Sequence, residues 1–143
     1  MSTNWPKDIA EMHEKFGVNP CVRAFDKEKL REYLHFRLRF LGEELQETAW
    51  ADNPAEFVDG LIDLCVVAIG TLNAFDVDAQ VAWDRVHAAN MSKQVGIKAS
   101  RPNPLGLPDL IKPEGWVAPA HDDNIGLLAK LYTGSETPFT YAH

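Results

Sequence analysis

Up to about residue 92 the apolar positions of this chain keep helical spacing; beyond that the pattern lapses until about residue 122. Ile9, Met12, His13 and Phe16 predict a first helix over residues 5–16, ended by Gly17 and Pro20. Leu34, Leu38, Leu41 and Leu45 form one stripe of a long second helix over residues 27–50. Tyr33, Phe36 and Phe40 fall on roughly the opposite side of it. Asp52-Asn53-Pro54 breaks the chain, with Pro54 suited to the first turn of a third helix over residues 54–75. Leu64 to Leu72 in that helix carries no charge, which predicts a central, buried element. Asp78 is a good N-cap for a fourth helix over residues 79–92, with Ala82, Val86 and Ala89 on one stripe. No strand pattern and no internal repeat stand out. Four helices with short connections predict an all-α fold, an antiparallel four-helix bundle.

Six acids converge on two segments of the second and third helices, residues 43–47 and 56–63. Glu44 and Glu47 are three apart, and so are Glu56 and Asp59, so each pair occupies neighbouring rows of one helix face. Glu43 joins the first pair, extending the aromatic side of its helix. Asp63 joins the second, and Glu56, Asp59 and Asp63 lie within about 60° of arc. Carboxylates in segments built for burial are costly unless paired or bound to metal. Two facing helices would offer a box of oxygen ligands to a hard divalent cation. The competing readings are solvated helix acids, or acids paired with Arg37, Arg39 or Lys93.

The pattern changes at about Gly96. Pro102, Pro104, Pro108, Pro113 and Pro119 put five prolines within residues 101–119, which predicts an extended proline-rich C-terminal arm. The expected division is thus a helical domain over residues 1–96 and an arm over residues 97–143. Leu105, Leu107, Leu110, Ile111, Trp116 and Val117 give the arm apolar side chains with which to dock on its own bundle or a second subunit. Residues 122–132 have helical spacing at Ile125, Leu128 and Tyr132, and residues 134–143 read as a frayed end.

Composition narrows the function classes. The chain has 143 residues, 45% of them hydrophobic and 24% charged, enough for a folded core and unlike a disordered or fibrous chain. Its net charge is −7, the wrong sign for a non-specific binder of nucleic-acid polymers. No apolar run approaches the roughly 20 residues of a membrane span. Residues 1–6 lack a basic and apolar signal pattern, and Cys21 and Cys65 do not suggest a disulfide framework, so a cytoplasmic setting is expected. No phosphate-binding glycine loop, zinc motif or serine elbow is present. Asn90 and Lys93 sit three apart near the end of the fourth helix, where an amide and an ammonium could hold phosphate oxygens. A cap and a solvated charge are the ordinary roles of such a pair.

Glu44-x-x-Glu47 followed by Glu56-x-x-Asp59 resembles the signature of the all-α nucleoside triphosphate pyrophosphohydrolases. That superfamily includes MazG, the dimeric dUTPases and phosphoribosyl-ATP pyrophosphohydrolase. The likeness is to its MazG-like branch, through Met12-His13-Glu14-Lys15-Phe16-Gly17, Leu38 to Leu45, Val58 to Leu64, Val86 to Lys93 and Lys112-Pro113-Glu114-Gly115-Trp116. It covers about residues 8–117. The chain departs from the pattern in a short link between Glu47 and Glu56, and in Asn53-Pro54-Ala55 where basic residues often stand.

The resemblance implies hydrolysis of a (deoxy)nucleoside triphosphate between its α and β phosphates, giving a monophosphate and pyrophosphate. It implies Mg²⁺, with Mn²⁺ as an alternative, held by Glu44, Glu47, Glu56 and Asp59. Glu43, or failing it Asp63, would be the catalytic group that orients or deprotonates water. Asn90 and Lys93 would grip phosphate, and the base would sit near His13, Phe16 and Phe36. A homodimer or a dimer of dimers is expected on the same ground. Two other readings exist. A di-metal carboxylate oxidase needs Glu-x-x-His pairs, which the acid clusters lack. A non-catalytic helical interaction module would use metal or ion pairs only for stability.

Overall fold

The computed structural model describes residues 1–100, 105–134 and 137–139. It is mostly helical, with five α-helices and 60% of its residues in helical conformation, so the expected all-α class holds. The helices are α1 (Trp5–Phe16), α2 (Val18–Arg23), α3 (Lys27–Ala49), α4 (Pro54–Ala74) and α5 (Ala79–Met91). A 3-10 turn, Gly126–Lys130, stands where a short terminal helix was expected. Among the described residues no helix is long and apolar enough to cross a membrane.

The helix starts follow from local chemistry. Asn4 Oδ1 accepts from Lys7 N at 2.9 Å, Asp26 Oδ1 from Lys29 N at 2.8 Å, and Asn53 Oδ1 from Ala55 N and Glu56 N at 3.0 Å. Each satisfies amides that have no partner inside the helix. Gly17 takes a left-handed φ of 67° and closes α1. The unpredicted helix α2 begins immediately after it. Pro20 does not stop α2, because it falls in the first turn, where a missing N–H leaves no bond unmade.

The chain divides into two compact units, Met1–Ala79 with Asn124–His143, and Gln80–Asp123. In the first, α4 packs against α1, α2 and α3. Its core is Val22, Leu30, Leu34, Ala74, Phe75, Val77 and Leu131, with Phe25, Tyr33, Leu127, Leu128 and Phe139 packed around it. The rings of Tyr33 and Phe75 stack at 5.8 Å. The core therefore lies at the start of α3 and the end of α4. The returning segment closes it: Leu127 N donates to Phe75 O at 2.7 Å, and Asn124 bonds both the amide and the carbonyl of Asp78. Gly126, with φ 51°, is required there because a Cβ would overlap Phe75 O. Part of the end expected to fray is docked. Pro138 is buried, its carbonyl accepts from His35 Nε2 at 2.8 Å, and Phe139 stacks on the His35 ring at 4.8 Å. Residues 135–136 and 140–143 lie outside the described residues.

The expectation of a buried α4 needs correction. Its second half supplies Val67, Gly70 and Ala74 to the interior. Its first half is open: Phe57, Val58, Leu61 and Ile62 are all exposed. An apolar helix is covered only where neighbours reach it, and the core lies at the other end.

The second unit holds most of α5 and two three-residue strands, β1 (Gln94–Gly96) and β2 (Asp109–Ile111). They pair antiparallel with Val95 opposite Leu110. Strands this short carry too little alternation to be read from sequence. The composition shift near Gly96 lies inside this unit. Of the prolines expected in the arm, Pro102 and Pro104 lie outside the described residues. Arg85 closes the unit with paired bonds to Asp123 at 2.6 and 2.8 Å and a third to Ala120 O at 3.1 Å.

Candidate active site

The acid-bearing halves of α3 and α4 are brought together by two small residues. Among residues 43–63 only Thr48 is buried. Its hydroxyl donates to Glu44 O at 2.6 Å, which turns the side chain back onto its own helix. Gly60 faces it from α4, so close that a Cβ there would overlap Thr48 Oγ1 and lie 3.2 Å from Thr48 Cα. This close approach sets Glu43, Glu44 and Glu47 of α3 beside Asp59 and Asp63 of α4.

The electrostatics report that placement. Glu44 is half-buried, and its pKa is raised, first by desolvation and then by the carboxylates of Asp63, Glu47, Glu43 and Asp59, in that order. Four of the predicted site acids thus act on a fifth, from both helices. Among the described residues none of the five makes an ion pair or a side-chain hydrogen bond. The expected alternative partners are used elsewhere. Arg37 donates from Nε to Thr71 Oγ1 and from Nη2 to Val67 O, both at 3.0 Å. Lys93 Nζ donates to Asn90 Oδ1 at 2.9 Å. Arg39 pairs with no acid among the described residues.

Glu56 differs from the other acids. Its Oε1 accepts from Asn53 Nδ2 at 2.8 Å and its Oε2 from Asp52 N at 3.1 Å. With the Asn53 cap this is a variant of the capping box at the start of α4, in which Glu56 accepts from the amide before the cap and from the cap side chain. The expectation of buried carboxylates is met only in part: Glu43, Glu47, Glu56, Asp59 and Asp63 are exposed. Among the described residues no group of three or more His, Cys, Asp or Glu is drawn into a metal-holding cluster. The donor set is nevertheless all carboxylate oxygen, the chemistry of a hard divalent cation, and among the described residues no cation pairs with Glu43, Glu44, Glu47, Asp59 or Asp63.

The residues expected around the base are dispersed in role. His13 is 5% exposed, and its Nδ1–H donates to Asn73 Oδ1 at 2.8 Å, joining α1 to α4. Gly70 makes room for it, since a Cβ would lie 3.2 Å from His13 Nε2 and 2.9 Å from Arg37 Nη2. Phe16 and Phe36 are exposed. Phe36 has ring contacts with Tyr33 and Phe40, and none with Phe16 or His13 among the described residues. Asn90 and Lys93, in the second unit, are joined to each other, and Lys93 Nζ stands 5.2 Å from the ring centroid of Trp116.

Sequence reasoning overlooked Thr48, Gly60 and Gly70. The available signal was small residues within helices that otherwise carry large ones, which marks close approach.

No curated protein and no solved structure matches this chain. The family model described as phosphoribosyl-ATP pyrophosphohydrolase does, over residues 11–90. Those residues make up more than half of the sequence and run from α1 to Asn90, through both acid-bearing segments. With that match and two helices joining their carboxylates around Glu44, this chain belongs to the phosphoribosyl-ATP pyrophosphohydrolase family, within the MazG-like all-α superfamily of nucleotide pyrophosphohydrolases.

Proposed function

We propose that the protein is a magnesium-dependent enzyme of the cytoplasm that hydrolyses a (deoxy)nucleoside triphosphate between the α and β phosphates, releasing pyrophosphate. One observation carries this reading: the gathering of acids from α3 and α4 around Glu44, with no ion pair to them among the described residues. An acidic protein repels a polyphosphate unless a cation stands between them. Glu44, Glu47, Glu56 and Asp59 would hold Mg²⁺ or Mn²⁺, directly or through water. The ion would neutralise charge on the phosphoryl oxygens and the leaving group. Glu43, with Asp63 as the alternative, orients the attacking water and accepts its proton. Glu56 would leave its capping bonds or reach an ion with its remaining lone pairs. Asn90 and Lys93 grip phosphate oxygens, and the base lies toward His13, Phe16 and Phe36.

The test is a panel of canonical and modified triphosphates, with phosphoribosyl-ATP included, assayed for pyrophosphate with Mg²⁺. Release from a triphosphate is the expected result. Release from phosphoribosyl-ATP alone would replace the substrate and keep the reaction. No release from any nucleotide would end the proposal. Lys93→Ala should raise KM by about tenfold, the effect of one charged hydrogen bond, with kcat nearly held. An unchanged KM removes Lys93 from the site.

The four-helix bundle and its proline-rich arm belong to an assembled form, a dimer or a dimer of dimers. Trp50, Phe57, Val58, Leu61 and Ile62 are 44–74% exposed along and beside the acid-bearing half of α4. That apolar surface favours pairing with a second copy. A monomer mass at micromolar concentration by light scattering would refute the pairing.

A further inference from the structure

We infer that Lys112 is a second phosphate-binding residue, paired with Lys93 by the indole of Trp116 to form one cationic site for a polyphosphate chain. It rests on the reading of Lys93 as a phosphate contact and extends it to a residue beyond the segment that matches the family model, which ends at Asn90.

Trp116 is fixed before the lysines are considered. Its Nε1–H donates to Ala89 O at 3.0 Å and to Ser92 Oγ at 2.9 Å, which ties the ring to the last turn of α5. Ser92 Oγ itself donates to Ala89 O at 2.7 Å, so the indole N–H joins a hydrogen-bonded pair that already closes the end of the helix. Two ammonium groups then stand over the one ring, Lys93 Nζ at 5.2 Å and Lys112 Nζ at 4.9 Å from its centroid. Each is attracted to the aromatic face, but the ring carries no net charge and cancels none of theirs. Neither lysine forms an ion pair among the described residues. Lys93 spends one of its three donors on Asn90, and Lys112 makes no hydrogen bond among the described residues.

The result is local positive charge in a chain of net charge −7, with most donor capacity open. Holding a flexible lysine in place ordinarily forfeits much rotamer freedom on binding. Here the ring has already restricted both side chains, so less is lost when an anion arrives. The matching ligand has several oxygens and more than one negative charge, as a triphosphate or pyrophosphate does. If the lysines merely laid their stems on an indole, no anion would be bound.

The probe is inorganic tripolyphosphate, titrated calorimetrically into the full chain without divalent metal. Saturable binding is expected, and Lys112→Ala should weaken it by about tenfold, as should Lys93→Ala. Lys112→Arg should recover most of the loss, because the charge and ring contact remain. In nucleotide hydrolysis Lys112→Ala should raise KM with kcat nearly unchanged. No saturable binding by the parent, or full affinity and unchanged KM in Lys112→Ala, overturns the inference. If Lys93→Ala raises KM and Lys112→Ala does not, the inference fails while the proposed activity stands. If tripolyphosphate binding depends on both lysines but no nucleotide is hydrolysed, the cationic site stands and the proposed activity fails.

Discussion

Glu44→Gln abolishes Mg²⁺-dependent pyrophosphate release, with kcat falling at least about a hundredfold, equivalent to about 2.7 kcal/mol of lost transition-state stabilisation. Glu47→Gln does the same. The glutamine side chain keeps the size and one oxygen but not the charge that recruits a divalent cation. The expectation comes from where Glu44 sits: desolvated in part, and within the field of Asp63, Glu47, Glu43 and Asp59. Its folded-state pKa is raised, so the folded chain holds this proton more tightly than the unfolded chain. The stability gained from protonation is fully present below the ordinary glutamate value of about 4.3. It is lost as pH rises through the raised value. Metal-free parent protein should therefore lose thermal stability across that interval, and Glu44→Gln should lose less. At neutral pH, Mg²⁺ should raise the melting temperature of the parent and not that of Glu44→Gln. Hydrolysis at the parental rate by Glu44→Gln would remove it from the metal site. A parental response of its melting temperature to magnesium would do so too.

Gly60→Ala destabilises the protein even though alanine is the better helix former. Propensity alone favours alanine by about 1 kcal/mol. Against it, the new methyl would overlap Thr48 Oγ1 and press within 3.0 Å of Thr48 Cβ and 3.2 Å of its Cα. Thr48 is 4% exposed and tied by its hydroxyl to Glu44 O, so it has little room to yield. Overpacking of this kind costs about 1–3 kcal/mol. The backbone contact places this site toward the upper end, for a net fall in melting temperature of roughly 3–8 °C. Activity should fall further than stability, because the methyl pushes apart the segments that carry the acids. Gly42→Ala is the control. Nothing lies within 4 Å of its added methyl, so it should stabilise by up to about 1 kcal/mol. Equal melting temperatures for Gly60→Ala and Gly42→Ala would show that the helices do not meet at Gly60. Thr48→Ala in the Gly60→Ala background should restore part of the loss, a coupling of at least about 0.5 kcal/mol.

The site was legible in unequal parts. The spacing of Glu44, Glu47, Asp59 and Asp63 placed them on helix faces, and helix periodicity is local. Glu56 shares that spacing, yet both its oxygens serve the α4 cap. An acid at the third helical position suits a capping box as well as a ligand set, and spacing does not separate the two. His13 was read toward the substrate base only through the family resemblance. Its partner, Asn73, is sixty residues away, a distance over which no sequence pattern reports.

Sequence by itself determined the four longer helices, the side-chain caps that open α1, α3 and α4, and the acid motif, because each depends on residues within a turn or two of one another. Tertiary structure alone decided which side chains answer the acids, since Arg37 and Lys93 could each have paired with them but are held by α4 and by Asn90. It also decided that α3 and α4 touch through Thr48 and Gly60, and that Trp116 gathers two lysines from separate stretches of chain. The physical reason is the same in each case. Such contacts join residues far apart in sequence, and their energies are settled by distance and solvent exposure after the chain has folded.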